Sequence, residues 1–181
     1  MNGVIPLDAV LREATAASYR DLVTRPTGAA VRHRLVSALR QHDRTEALLD
    51  FTQIGLVDFS CADEVVAKLV AALHELPVSR IVLHGIREDH ADAIDHALTC
   101  HGLAVLALEL EGGHPKLLGR VPDDWRAVFG VLLQVRRATA GPIADRLAWE
   151  VPRTRTALDG LATSRCILAH PDATYELGVL A

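Results

Sequence analysis

The sequence lacks the features that mark membrane, secreted and disulfide-stabilised proteins. No apolar run approaches the roughly 18 to 20 residues that a membrane-spanning helix needs. The chain begins with MNGVIPLDAVLREA, which shows no charged start, apolar centre and small-residue cleavage site of a signal peptide. Its three cysteines show no C-x-x-C spacing, which argues against a disulfide framework and a zinc knuckle. We therefore expect a soluble cytoplasmic protein with reduced thiols and no membrane contact.

Motifs for metal and cofactor binding are also missing. The nine histidines include no HExxH motif and no H-x-H pair, so the sequence predicts no metal site. Neither a Walker loop nor a Rossmann glycine fingerprint is present, and no cofactor is predicted. With no catalytic motif to explain, we expect a non-enzymatic protein.

The composition and the apolar pattern are those of a folded α/β protein. Of the 181 residues, 50% are hydrophobic and 23% are charged, which is enough to bury one good core or one medium and one small core. Short apolar segments alternate with amphipathic helical ones, and this order predicts a mixed or parallel sheet with packed helices. Strands are predicted at residues 18–23, 45–51, 80–83, 103–108 and 116–121.

The most informative local pattern lies between Leu48 and Leu69. This segment reads LLDFTQIGLVDFSCADEVVAKL, in which a strand-like run passes through a turn into an amphipathic helical stripe. Ser60 and Asp63 have the spacing of a capping box, in which the serine hydroxyl accepts from the amide of Asp63 and the carboxylate reaches back. The pattern therefore predicts Ser60 as the N-cap of a helix.

This segment resembles the STAS domain of sulphate transporters and anti-sigma-factor antagonists, whose switch serine lies at the same strand-to-helix corner. The run SCADE is more similar still to the SFADE-type segment of a STAS-like family of unknown function. The resemblance covers roughly the first two thirds of the chain. It departs from the antagonists' Asp-Ser-Ser-Gly pattern, because this chain reads Asp58, Phe59, Ser60, Cys61. It implies a STAS-like mixed sheet with packed helices, and protein partners, which for ordinary STAS domains include kinase-like anti-sigma factors.

Two interpretations of Ser60 follow. It is a helix cap, worth about 0.5 to 2 kcal/mol, or it is a switch whose phosphate would gain from the helix dipole and be repelled by nearby acids. In the switch interpretation the contacts around it are Asp58, Cys61, Asp63 and Glu64. Cys61 has its own alternatives, a nucleophile with a lowered pKa near the helix start or a small buried apolar residue.

A second local pattern is the run TRPTG, which opens a predicted helix. Arg25, Thr27 and Gly28 would lie at the mouth of this helix, and Arg32 would follow, so that amides and a guanidinium face a phosphate. Alternatively, both arginines are solvated or paired with carboxylates. A cleft near Arg25 and Ser60 would favour the alternative function, a nucleotide-binding or enzymatic α/β module that uses helix N-termini.

The pattern changes after a stretch rich in glycine and proline. We predict a STAS-like α/β domain over residues 1–121 and a second domain over residues 122–181. The second domain is predicted to contain helices at 123–137, 142–148 and 153–165, and a hairpin of residues 166–169 and 174–177. This order resembles a small winged helix-turn-helix domain.

The charges of the second domain bear on DNA binding. Residues 122–181 contain seven arginines, no lysine and seven acids, so this domain is neutral and lacks the usual electrostatic footprint. However, Arg153, Arg155 and Thr156 lie at the predicted exposed start of the third helix, where this motif contacts base edges. The alternative is a winged helix that contacts protein or a second copy of the chain.

Together these patterns predict a non-enzymatic regulatory protein, in which a STAS-like interaction switch is coupled to a winged-helix output domain. Its role would be in transcriptional regulation or signalling. A protein partner is expected, DNA is a second candidate partner through the winged helix, and a homo-oligomer is compatible with either.

Overall fold

A mixed sheet forms the centre of the first part of the chain. Its strands are β1 (Val4–Pro6), β2 (Glu46–Asp50), β3 (Arg80–Ile86), β4 (Ala104–Glu109) and β5 (Pro115–Gly119). They lie in the order β1-β2-β3-β4-β5, with parallel pairing from β1 to β4 and antiparallel pairing of β5 with β4. The predicted α/β class, with a mixed sheet and packed helices, is therefore confirmed.

The computed structural model describes residues 3–16, 18–41 and 45–178. The chain divides into two compact units, Met1–Arg120 and Val121–Ala181. The division falls where β5 has ended and a proline begins the next segment, beside the boundary that the sequence predicts between residues 121 and 122.

Helices connect the parallel strands of the first unit and complete its core. They are α1 (Leu7–Thr15), α2 (Arg25–Arg40), α3 (Phe59–Ala62), a π-helical segment (Asp63–Ala67), α4 (Lys68–Ala71), a 3-10 helix (Leu73–Glu75) and α5 (Glu88–Cys100). Consecutive parallel strands with right-handed crossovers put their helices on one face of the sheet. Alternate strand residues belong to the core on this face, where Leu49 and Leu83 are fully buried with Leu35 and Ile94 of the helices.

One predicted strand of the first unit is wrong. In residues 18–23 the structure shows an isolated bridge between Leu22 and Val57 instead of a strand. The first strand is β1, which the sequence pattern did not predict. β1 is a three-residue edge strand that ends in a proline without an amide proton, so it has almost none of the apolar alternation that identifies a strand.

The second unit combines helices with a small antiparallel sheet. Its elements are α6 (Asp123–Val135), β6 (Arg137–Ala138), α7 (Ala140–Leu147), α8 (Val151–Thr163), β7 (Leu168–Ala169) and β8 (Tyr175–Glu176). β8 pairs with both β7 and β6, so the predicted hairpin forms and β6 joins it. The sequence predicts helix as far as residue 137, but α6 ends earlier because Arg136 takes a φ of 65°, which is incompatible with the helical repeat.

Candidate functional site

The loop after β2 leads into α3 and positions Ser60. Asp58 is the N-cap of α3, because its Oδ1 accepts hydrogen bonds from the Cys61 amide at 2.7 Å and from the Ser60 hydroxyl at 2.8 Å. Ser60 is the second residue of the helix, and its hydroxyl donates instead of accepting. The predicted capping box of Ser60 with Asp63 is therefore wrong. An aspartate two residues earlier already occupies the cap position, and its short side chain reaches the first free amides.

Asp63 and Glu64 form a buried acidic pair in the π-helical segment. Asp63 accepts hydrogen bonds from Arg25 at 2.6 Å and contacts His101 Nε2 at 2.6 Å. Burial alone would raise the pKa of Asp63, but these hydrogen bonds outweigh it and hold the pKa below its ordinary value. The Asp63 carboxylate is thus ionised and committed to these partners.

Glu64 is the more deeply buried acid, with 4% of its surface exposed. Its carboxylate contacts Lys68 one turn later, Arg25 at 2.9 Å and Arg32 at 3.2 Å. Burial acts to raise the pKa of Glu64, whereas hydrogen bonds from Lys68, Arg25 and Arg32 lower it, and the net pKa lies below the ordinary value. This ionic cluster ties α2 to the π-helical segment that continues α3.

The π-helical turn itself was not predicted. Its residues Asp63–Ala67 are buried throughout, including both acids. A π-helical turn accommodates one more residue than an α-helical turn and is often found near functional sites. No spacing rule in the sequence signals such a turn. The adjacent acids directly before an apolar helical stripe were the available clue that the α2 arginines would find partners here.

The residues of the predicted anion site are occupied by other contacts. Arg25 and Arg32 form the ion pairs with the buried acids, which is the paired alternative for both arginines. Thr27 Oγ1 accepts from the Thr24 hydroxyl at 3.2 Å. A Cβ added to Gly28 would lie 2.9 Å from the Cβ of Glu64, so this glycine permits α2 to approach the neighbouring helix closely.

Cys61 does not have the environment of a nucleophile. Its side chain is fully buried, and its thiol contacts the Thr24 carbonyl with a sulfur to oxygen distance of 3.0 Å. Burial, followed by the charge of Asp58, raises the pKa of Cys61 to about 12. The nucleophile interpretation of Cys61 is therefore wrong, and the residue packs as a small buried side chain.

Two large apolar side chains flank Asp58 and are exposed to solvent. Leu56 is 58% exposed and Phe59 is 40% exposed. The Phe59 ring lies 4.8 Å from the ring of His96 on α5, measured between centroids. We call Leu56 and Phe59 the apolar pair. The sequence interpretation identified their neighbours Asp58 and Ser60 but not these two residues, because exposure cannot be read from an apolar residue beside a turn.

In the second unit, the predicted DNA-contacting residues lie in the first turns of α8. Arg153 is held by Asp124 of α6 through bonds of 3.0 and 2.7 Å, and its guanidinium lies 3.9 Å from the ring centre of Trp149. Thr156 is exposed, but its hydroxyl donates to the Pro152 carbonyl at 3.0 Å. Arg155 is exposed, and no described residue forms an ion pair with it. Of the three, Arg155 is the most available to an external partner.

Arg153 and Asp124 each shift the pKa of the other. The hydrogen bond to Asp124 raises the pKa of the Arg153 guanidinium, and the same bond lowers the pKa of the Asp124 carboxyl. The pair borders a cleft of about 430 Å³ between α6 and α8, lined by Trp125, Thr156 and Ala157 among others. Because the pKa of Arg153 is raised and that of Asp124 is lowered, both groups stay charged across the neutral pH range.

A second cleft, of about 370 Å³, lies in the first unit at the carboxyl ends of β3 and β4. Ligands of α/β proteins often bind at such ends. Its polar lining includes Arg87, Glu88, Glu109 and Lys116, and Lys116 pairs with Glu109 at 2.9 Å. The lining does not include the arginines of α2 or Ser60, so this cleft does not gather the residues that the enzymatic alternative requires.

Neither a metal cluster nor a membrane-spanning helix occurs in residues 3–16, 18–41 and 45–178. There, no three histidine, cysteine, aspartate or glutamate side chains converge as ligands for an ion, and no helix combines the length and apolarity needed to cross a bilayer. Comparisons of the chain with protein-family models, with curated proteins and with solved structures found no match. A function must therefore be argued from the geometry of the site.

Proposed function

We propose that this protein is a non-enzymatic regulator, in which a STAS-like interaction switch at Ser60 controls a winged-helix output domain. The observation that carries the proposal is the apolar pair, Leu56 and Phe59, exposed on either side of the N-cap of α3. Exposed apolar surface rimmed by polar residues is typical of protein interaction sites, and Leu56 and Phe59 stand beside the polar residues Asp58 and Ser60 in the chain. The proposal assigns this corner to a protein partner.

The chemistry of the corner favours docking over catalysis. The Cys61 thiol has a pKa of about 12 and is not ionised at neutral pH. The arginines that a phosphate would need, Arg25 and Arg32, are paired with Asp63 and Glu64. A nucleotide would have to displace buried acids from their cations, at the cost of leaving those acids unpaired. The nucleotide-binding alternative therefore has little support.

The position of Ser60 suits a switch. Its hydroxyl is half-buried and lies 2.8 Å from the carboxylate of Asp58. Burial acts to raise the pKa of Asp58, but hydrogen bonds from the Thr24 and Cys61 amides and from Ser60 outweigh it and hold the pKa below its ordinary value. A phosphate or another negative charge at position 60 would therefore face an ionised carboxylate. Added charge at Ser60 is thus expected to disturb the surface that carries the apolar pair, while the neutral hydroxyl leaves it intact.

The order of elements in the second unit supports the winged-helix part of the proposal. A helix, a short strand, two further helices and a hairpin follow one another, and the hairpin pairs with the short strand. Arg155 is exposed at the start of α8, where a winged helix reads base edges. The neutral charge of the unit equally suits contact with protein, so both outputs remain part of the proposal.

Partner binding by variants that place an acid in the apolar pair tests the docking assignment. We expect Leu56→Asp and Phe59→Asp each to abolish recovery of a specific partner from an extract of the cells that express this protein. Leu110→Asp is the matched control, since Leu110 is 42% exposed and belongs to another surface segment. Equal recovery by all of these variants, at equal thermal stability, would contradict the assignment.

A further inference from the structure

Thr24, directly before α2, has an unusual backbone conformation. Its φ is 72° and its ψ is 139°, in a region that side-chain-bearing residues rarely adopt. Such a conformation persists only where the surrounding contacts enforce it, and it then stores strain. Thr24 is exposed, so tight packing of its side chain is not what enforces the conformation.

Asp58 supplies a contact that holds Thr24 in this conformation. The Thr24 amide donates to Asp58 Oδ2 at 2.9 Å, while the other carboxylate oxygen accepts from Ser60 and Cys61. The Thr24 carbonyl is held as well, by the Cys61 thiol at 3.0 Å and the Gly28 amide at 3.1 Å. One carboxylate therefore joins the candidate switch residue to the strained start of α2.

The same junction is fixed on both sides along the chain. Before Thr24, the Asp58 amide donates to the Leu22 carbonyl at 3.0 Å. After it, Arg25 reaches the buried acids Asp63 and Glu64. Thr24 is thus a short strained link between two anchored points, and a change at Asp58 acts on it directly.

We infer that Asp58 is a mechanical coupler: negative charge at position 60 displaces its carboxylate, releases the Thr24 amide and lets the start of α2 relax. The inference rests on the proposed function in that it takes Ser60 as the switch. The Ser60 hydroxyl now donates its proton to Asp58 Oδ1 at 2.8 Å. An anion at position 60 has no such proton to donate, and its charge repels the Asp58 carboxylate at this distance. Relief of the strain at Thr24 favours the released state.

Amide hydrogen exchange of the isolated full chain tests the coupling. We expect the Thr24 amide to exchange on the order of tenfold faster in Ser60→Asp than in Ser60→Asn, since a hydrogen bond to a charged acceptor is lost. The asparagine matches the aspartate in shape without its charge. Ser37→Asp adds the same charge on the exposed face of α2 and should leave Thr24 unchanged. Equal Thr24 exchange in Ser60→Asp and Ser60→Asn would overturn the inference.

If Ser60→Asp destabilises the whole first unit, a double-mutant cycle on Tm tests the coupling between position 60 and Thr24 instead. Thr24→Gly removes the strain, and its effect on Tm should be more favourable in the parent chain than in the Ser60→Asp chain, by about 2–4 °C. The same effect in both backgrounds would show that position 60 does not control Thr24. Neither measurement uses a partner, so coupling with no partner response would contradict the proposed function alone.

Discussion

The corner at Ser60 and the start of α8 use the same kinds of charged side chain in opposite ways. In the first unit, Asp63 and Glu64 are 7% and 4% exposed, and arginine and lysine side chains reach in to them. In the second unit, Arg153 and Asp124 form a pair that faces solvent, with side chains 53% and 40% exposed. The buried cluster holds helices together, whereas the exposed pair can open so that Arg153 binds an external partner in place of Asp124.

The difference follows from desolvation. A buried acid that loses its cations is left unpaired in a low-dielectric site, so the cluster cannot open without loss of stability. A surface ion pair contributes little to stability and is easily replaced by solvent or by another anion. We therefore expect substitutions in the buried cluster to act on folding, and substitutions at the start of α8 to act on binding.

The largest effect is expected at Glu64. Glu64→Ala should lower the free energy of unfolding by about 2 kcal/mol, because a buried ionic cluster loses its central acid while the cations, which are partly exposed, can still turn to water. Urea unfolding measures it. Glu13→Ala, at an exposed position of α1, is the control and should change stability by less than about 0.5 kcal/mol. Similar losses at both positions would contradict the claim that the buried cluster holds the helices together.

A smaller effect, on binding instead of folding, is expected at α8. If this helix reads DNA, Arg155→Ala should cost about 1–3 kcal/mol at a specific site and leave thermal stability unchanged. Asp124→Asn should strengthen binding, because Arg153 no longer has an acid to hold it.

Titration of labelled duplex pools at low and moderate salt checks both variants. If no sequence is enriched, and if Arg155→Ala and Asp124→Asn bind the pools with the affinity of the parent, direct readout is excluded. The output of the second unit would then be contact with protein.

The pH dependence of stability gives the finest test. The pKa values of Asp63 and Glu64 lie below their ordinary values of 3.8 and 4.5, so the folded state binds fewer protons than the unfolded state at acidic pH. Their contribution is fully present above the ordinary values and is lost as the pH falls through the lowered ones. Between about pH 5 and pH 3, Asp63→Asn should therefore show a shallower fall in unfolding free energy than the parent. Parallel curves would argue against an ionised buried cluster.

Sequence reasoning predicted the layered α/β architecture because the spacing of apolar residues and the positions of turn residues directly indicate strands and helices. It predicted the helices and the hairpin of the second unit on the same grounds. It missed β1 and β6, which are short and depend on pairing with distant residues. It also placed the N-cap at Ser60, since Asp58 and Ser60 are both good caps and local spacing alone does not choose between them.

The candidate site was less accessible to prediction. The paired state of Arg25 and Arg32 depends on the packing of α2 against the π-helical turn, which no local pattern encodes. The exposure of Leu56 and Phe59 likewise appears only when the chain is folded. What the sequence did indicate was the corner itself, through its strand, turn and capped helix.

Partner affinity across a series at position 60 is the most direct test of the account. The partner recovered with the parent chain should bind Ser60→Ala and Ser60→Asn within about twofold of the parent, because neutral side chains leave Asp58 in place. Ser60→Asp should bind at least about tenfold more weakly, with affinities measured at matched folded fractions. The same affinity for Ser60→Asp as for Ser60→Asn would contradict the claim that this corner is a charge-controlled interaction switch.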